Sequence, residues 1–392
     1  MPAWLIPGSA VALLLCAVAL LAFGALVTAA PVTDWRALLS DSYLHHVLAF
    51  SFEQALLSAL LSVLPSILLA RALYRRRFPG RNLLLRLCAM TLVLPVLVAV
   101  FGLLSVYGRS GWLAQLCGLL GLNYSFSPYG LQGILLAHVF FNLPLATRML
   151  FQALESIPGE QRQLAAQLGL RGWNLFRLVE WPWLRRQILP TAALIFMLCF
   201  ASFATVLALG GGPRATTLEL AIYQALSFDY DPSRAALLAM LQLGCCLLLV
   251  LLSQRFSKAI PTGSQSIRGW RDPQDSWHAR IGDTLLIACA LILLLPPLAA
   301  VVVDGLRGGV AGALQQSALW QATFTSLRIA IGAGLLCVLL TMMLLWSSRE
   351  LRQRQRNVAA QAMELSGMLI LAMPGIVLAS GFFLLFNATI GL

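Results

Sequence analysis

Lysine is all but missing from this 392-residue chain: Lys258 stands alone among 27 basic residues, and the other 26 are arginine. A phosphate-cradling loop of the form G-x-x-x-x-G-K-[ST] needs a lysine after its glycines to reach the phosphates. Lys258 sits in RFSKAI with no glycine before it, and Gly210, Gly211 and Gly212 run into Pro213 and Arg214. The usual ATP-hydrolysing site is thereby excluded. Charge of either sign is scarce, at 11% of residues against about 25% in soluble domains. Paired cysteine ligands are missing too. Seven of the eight cysteines (Cys16, Cys88, Cys199, Cys245, Cys246, Cys289, Cys337) fall in apolar blocks and Cys117 falls in a loop. With no CxxC pair, neither a disulfide framework nor a zinc site is supported, and the cysteines read as packing residues. Asp41, His45 and His46 stand on a short loop running into an apolar block and are not expected to form a metal site. No polar catalytic cluster can be assembled, which argues against a membrane enzyme.

What the chain has is apolar length: 59% hydrophobic residues and a mean hydropathy of +0.83. Long apolar blocks separated by Arg-rich loops mean an all-α, polytopic membrane bundle. Nine spans are predicted, near 9–30, 48–73, 88–107, 130–150, 189–210, 235–253, 283–303, 322–347 and 362–387. The first has no basic stretch before it and reads as a retained span. Arginines cluster after spans two, four, six and eight, while the loops between carry only Arg36, Arg109, Arg214, Arg234 and Arg307. The positive-inside rule then places the N-terminus and all four Arg-rich loops in the cytoplasm. The net charge of +12 follows from this topology and is not a nucleic-acid signal. The opposite loops carry Asp34, Asp41, Glu219, Asp229, Asp231 and Asp304 with Trp35, Trp112, Tyr124, Tyr129 and Tyr230. These can meet an extracytoplasmic protein or form ordinary interfacial belts.

The most ordered polar stretch is residues 158–190, PGEQRQLAAQLGLRGWNLFRLVEWPWLRRQILP. Leu164, Ala165 and Leu168 fall on one helical face, with Arg162, Gln163 and Gln167 on the other. Gly169 ends that short helix, since a residue without Cβ enters the left-handed region at little cost. Trp173, Phe176 and Val179 then repeat at helical spacing, and Pro182 is expected to interrupt the pattern. Two short amphipathic helices joined at a glycine beside a membrane form either a docking element for a soluble partner or an interfacial hairpin on lipid headgroups.

The stretch resembles the EAA loop of binding-protein-dependent ABC importer permeases, E-A-A-x3-G-x9-I-x-L-P. Gln163, Leu164 and Ala165 stand at the E-A-A positions, Gly169 at the glycine, Val179 at the isoleucine, Trp181 at the leucine and Pro182 at the proline. Glu and the first Ala of the pattern are replaced. The text from LYRRRFPGR through GGPRATTLELAIYQALSFDYDP resembles the thiamine-importing branch of that family, which has a fused two-bundle plan. The resemblance implies a type I importer permease fold, and a non-enzymatic permease that moves thiamine or its phosphate esters inward. It implies as partners a periplasmic substrate-binding protein and a cytoplasmic ABC ATPase dimer docked on the 158–190 loop, in a lipid inner membrane and with no cofactor. A ferric-iron permease is the nearest alternative within the class. An ion-gradient transporter is a more remote one, because it would not need the cytoplasmic docking loop.

The chain also repeats itself. The segment from Ser51 aligns without gaps to that from Ser326, and LPVLVAVFGLL, with Pro95 and Gly102, matches MPGIVLASGFFLL, with Pro374 and Gly381. Parallel repeats imply two similar bundles about an axis normal to the membrane. The expected domains are 1–260, a first bundle of six spans carrying the loop; 261–282, a cytoplasmic linker; and 283–392, three spans of a second bundle. A counterpart of Gly169 falls beyond Leu392, so a longer reading frame with a second docking loop is expected. Four polar residues in spans are pathway or inter-bundle candidates. His138 and Asn142, four apart before Pro144, either line a polar path or satisfy carbonyls freed by the proline. Glu53 and Arg328, at equivalent repeat positions, either face a partner or a cavity or snorkel to the interface.

Overall fold

A computed structural model describes residues 5–29, 40–91, 93–256 and 277–390. All regular structure among them is helical. The first five helices are α1 (Ile6–Ala29), α2 (Ser42–Arg75), α3 (Arg81–Met90), α4 (Val96–Tyr107) and α5 (Trp112–Leu119). Next come α6 (Leu131–Glu155), α7 (Gly159–Gln167), α8 (Gly172–Leu175), α9 (Trp181–Phe200), α10 (Phe203–Leu209) and α11 (Leu218–Ser227). The last six are α12 (Pro232–Phe256), α13 (Trp277–Arg307), α14 (Val310–Leu314), α15 (Ser317–Gln353), α16 (Asn357–Ala372) and α17 (Gly375–Ile390). Among the described residues, eight helices are long and apolar enough to cross a membrane, and Gly375–Asn387 is a shorter apolar one. The expected polytopic all-α architecture is therefore present.

Three predicted spans are broken, two of them beside a proline. The third stops at Met90 and resumes after Pro95, and the ninth divides at Pro374. A proline has no N–H to donate and biases its predecessor away from helix. The fifth is interrupted at Ala201 and Ser202. Cys117, expected in a loop, lies on α5. All eight cysteines are free, but Cys289 and Cys337 are exposed and not packed as expected. The linker at 261–282 lies mostly outside the described residues, its last six positions belonging to α13.

The described helices form two compact units that interleave along the chain. One comprises Met1–Asp41, Ala221–Val250 and Asp304–Leu392; the other comprises Ser42–Leu220 and Leu251–Val303. In the second, α2 packs along α6 and α9. Its buried face is made of Ser51, Ala55, Ser58, Ala59, Ser62, Ser66 and Ala70. Small side chains let helix backbones approach closely where lipid supplies no hydrophobic drive between helices. Toward the last turns of α2 this face gives way to an apolar core of Leu69, Leu73, Leu150, Leu154, Ile157, Leu184 and Ile287. In the first unit, α1 packs against α15, α16 and α17.

The repeated Pro-x6-Gly segments share one packing device. A Cβ on Gly102 of α4 would lie 2.4 Å from the Pro297 carbonyl oxygen of α13, and one on Gly381 of α17 would lie 2.5 Å from that of Ala22 in α1. Each repeat therefore spends its glycine on a backbone-to-helix contact that no side chain allows.

Candidate functional site

The 158–190 stretch rests on the apolar core at the last turns of α2. Its first helix, α7, ends at Gln167, and Gly169 follows at φ +65°. Leu170 N–H donates to the Ala165 carbonyl at 2.9 Å and Gly169 N–H to that of Ala166 at 3.1 Å. These two bonds are a Schellman motif, which satisfies the orphan carbonyls of the last turn and needs a left-handed residue where glycine stands. Nothing lies within 4 Å of a Cβ built at Gly169, so the glycine serves backbone conformation and not close packing.

The second arm differs from expectation. Pro182 does not end a helix: apolar helix runs from Gly172 to Phe200. Residues Phe176–Glu180 widen into a π-turn, and Pro182 occupies the first turn of α9. A widened turn just ahead of a proline accommodates its missing N–H and its ring, so the chain keeps its direction.

The face assignment on α7 also changes. Arg162 and Ala165 are buried, while Leu164 and Leu168 are exposed. Arg162 is drawn inward because its guanidinium donates to the Leu154 carbonyl at 2.7 Å and lies 4.3 Å from the centre of the Tyr74 ring. Burial pulls the Arg162 pKa below its ordinary value, and the carbonyl and ring face compensate the charge. Alternation of polar and apolar residues could not reveal this, because the partners belong to α2 and α6.

The second arm is anchored by an ion pair. Arg71 Nε lies 2.6 Å from Glu180 Oε2, and Glu180 is buried. The same guanidinium donates to the Gly172 carbonyl at 3.1 Å and sits 4.6 Å from the Phe176 ring centre. Trp183 Nε1 donates to Gln161 Oε1 at 3.2 Å, tying the second arm to the first. Between the arms lies a groove of about 420 Å³ lined by Leu164, Ala165, Leu168, Leu178, Val179 and Pro182, with Gln161 and Arg186 also at its walls.

Of the sequence candidates, Leu164, Ala165, Val179 and Pro182 line this groove. Gly169 shapes its turn, Gln163 is exposed, and Trp181 packs on Phe176 with ring centres 5.8 Å apart. Arg71, Tyr74 and Glu180 were not singled out and Arg162 was placed on the polar face, though all four brace the site. Glu180 carried a faint signal, as one of two acids among the arginines of this stretch.

The pathway candidates lie elsewhere. His138 is buried, with Nδ1 2.9 Å from Ser58 Oγ and Nε2 2.9 Å from Ser202 Oγ. Asn142 is buried beside it and donates to Cys199 Sγ at 3.2 Å. Glu53 and Arg328 are exposed on their helices. Asp41 pairs with Arg234 at 3.3 Å, and His46 Nε2 lies 3.1 Å from the Arg214 carbonyl. Glu219, expected on an accessible loop, is 2% exposed.

Comparison with known proteins follows the same lines. Residues 62–260 match the family model described as "Binding-protein-dependent transport system inner membrane component". Over its whole length the chain is 73% identical to the thiamine transport system permease protein of Escherichia coli (strain K12), spanning 73% of that protein. It is 71% identical to the Salmonella typhimurium (strain LT2) protein of the same description, again over 73% of its length. The Haemophilus influenzae protein is 47% identical over 90% of this chain and 65% of its own length. Among solved structures, a bacterial alginate ABC transporter in complex with an alginate pentasaccharide-bound periplasmic protein is similar in fold. Its TM-score is 0.53 at 14% identity, covering 62% of this chain and 87% of that one. With half the chain inside the family model and all of it matched by such permeases, the chain belongs to the binding-protein-dependent transport system inner membrane components.

Proposed function

We propose that the chain is the membrane-spanning permease subunit of an ATP-driven importer that carries thiamine into the cell. The observation that carries this reading is the 73% identity to a thiamine permease along the entire chain. The ferric-iron alternative is not favoured, since the relatives above carry thiamine in their names. As a permease it is not itself an enzyme, and hydrolysis falls to a separate ATPase subunit. The substrate reaches it from a periplasmic binding protein.

The groove between α7 and the second arm is the ATPase docking point in this reading. Its exposed Leu164, Leu168 and Leu178 give an apolar floor for a helix-in-cleft contact. The Arg71–Glu180 pair and Arg162 then pass a push on the groove to α2 and α6. A dimeric ATPase, carriage of phosphate esters, and an N-terminus on the cytoplasmic side complete the reading. So do the bundle boundaries at 1–260, 261–282 and 283–392. The arginine asymmetry supports the orientation.

The test is uptake. In a thiamine auxotroph lacking its own system, the importer carrying this sequence, with its ATPase and binding protein, is expected to restore growth at low external thiamine. Gly169→Trp, which forces a bulky side chain to φ +65°, is expected to insert normally but lose ATPase co-purification and uptake. Full co-purification with normal uptake sinks the docking assignment, and no rescue by the wild type sinks the cargo.

A further inference from the structure

The helices α2 and α6 are each followed by a short connection and a short helix: α3 begins at Arg81 after α2, and α7 begins at Gly159 after α6. Each short helix sends one arginine back to the helix before it. Arg81 Nε donates to the Leu73 carbonyl in the last turn of α2 at 2.7 Å. Arg162 Nη2 donates to the Leu154 carbonyl in the last turn of α6, also at 2.7 Å. Both bonds reach back eight residues. Each guanidinium then covers a ring on the opposite helix. Arg81 lies 5.2 Å from the centre of the Phe151 ring of α6, and Arg162 lies 4.3 Å from that of the Tyr74 ring of α2. The two rings meet, tilted at 55° with their centres 6.0 Å apart.

The four side chains thus form a reciprocal clasp in the order Arg162, Tyr74, Phe151, Arg81, closing the ends of α2 and α6 on each other. A planar guanidinium donates in its plane while offering its face to a ring, which an ammonium cannot do. Phe151 and Arg162 are both 5% exposed, so water competes little for these contacts. Only Arg162 belongs to the docking loop, and none of the four lines its groove. The loop holds α6 through the three-residue connection into α7, and it holds α2 through Glu180 of its second arm on Arg71. Without the clasp these are two separate attachments. With it, the ends of α2 and α6 answer the loop as one body.

We propose that this clasp is the coupling joint of the permease, and that Arg81, Tyr74 and Phe151 are positioning residues for transport although they lie outside the docking groove. When a docked ATPase displaces the loop, the clasp carries α2 and α6 together. Its loss lets the loop move one helix and leave the other, so that ATP is hydrolysed with less substrate moved. The inference rests on the docking reading of the 158–190 loop.

The test uses the complete importer, reconstituted with its ATPase and thiamine-loaded binding protein, and reads thiamine taken up per ATP hydrolysed. Arg81→Lys keeps the charge but loses the fork. It is expected to keep thermal stability and ATPase association near wild type while the ratio falls roughly five-fold. Tyr74→Leu is expected to lower the ratio similarly, and Tyr74→Phe, which keeps the ring face, to retain it. Adding Phe151→Leu to Tyr74→Leu is expected to cost little more, because both remove the same stack. A ratio within about two-fold of wild type in either Arg81→Lys or Tyr74→Leu overturns the clasp. So does a Tyr74→Phe ratio as low as that of Tyr74→Leu. Where one of these variants fails to assemble, Phe151→Leu alone takes its place; failure of all three overturns the inference, since the clasp would then be merely structural. Gly169→Trp, run in parallel, separates the two readings. Its loss of ATPase association beside retention in Arg81→Lys is the expected pair, whereas retention in both sinks the docking assignment and the clasp's part in coupling with it.

Discussion

The first helix of each repeat meets its neighbour in two different ways. At the start of α13, Asp283 is gripped by two arginines: Arg75 Nη2 lies 2.7 Å from one carboxylate oxygen and Arg76 2.7 Å from the other. At the start of α1 the corresponding joint is made without an ion pair among the described residues. Gly8 N–H donates to Ser347 Oγ at 3.0 Å, and a Cβ on Gly8 would lie 2.4 Å from the Ser347 Cβ. In the gap-free repeat alignment Ser347 stands where α2 has Ala72, one turn before Arg75. Farther along the same helices the difference vanishes, since Gly102 and Gly381 make equivalent close approaches to carbonyls of α13 and α1. A shared helix contact can thus be fixed by glycine along its length, while its end is closed by charge in one copy and by proximity in the other.

The charged joint is the one most easily broken. Asp283→Ala takes the shared carboxylate away from two largely buried arginines, and loss of one partner of a buried pair costs about 3–5 kcal/mol. Thermal unfolding of purified protein is expected to show the largest loss in this series, and Asp283→Glu to recover part of it. Next come Gly102→Ala and Gly381→Ala, each pushing a methyl against a carbonyl and costing about 1–3 kcal/mol through forced helix separation. Their losses are expected to be similar, and a large inequality would break the symmetry of the two contacts. Smallest is Ser347→Ala, which removes the hydrogen bond from the Gly8 N–H at about 0.5–1.5 kcal/mol. If it matched Asp283→Ala, the contrast between the two joints would have no energetic meaning.

The sequence was most legible where a local rule is enough. Gly169 was readable as a helix stop because a left-handed C-terminal residue is a property of a few neighbouring backbone groups. Pro95 and Pro374 marked breaks for a similar reason. Arg162 and Glu180 were not readable, because their burial depends on Tyr74, Leu154 and Arg71, on helices distant in sequence. Pro182 misled because the residues before it absorb the proline by widening a turn. The repeat marked a packing stripe but not its occupancy. Ser51, Ala55, Ser58, Ala59 and Ser62 are buried, whereas the aligned Ser326, Ala330, Ala333, Gly334 and Cys337 are exposed among the described residues. A helix sequence specifies a face suited to close contact; its neighbours decide whether the face is covered.

The uninterrupted run from Gly172 to Phe200 makes the second arm of the loop and the membrane helix a single crank. Its 29 residues correspond to a rod of about 43 Å at 1.5 Å rise per residue. A shift at the loop end is therefore carried into the helix past Pro182, and Pro190, inside α9, is the remaining place where the rod can bend. The π-turn thus carries the helix past Pro182, a residue that normally introduces a break, and Arg71 on Glu180 ties that point of the rod to α2.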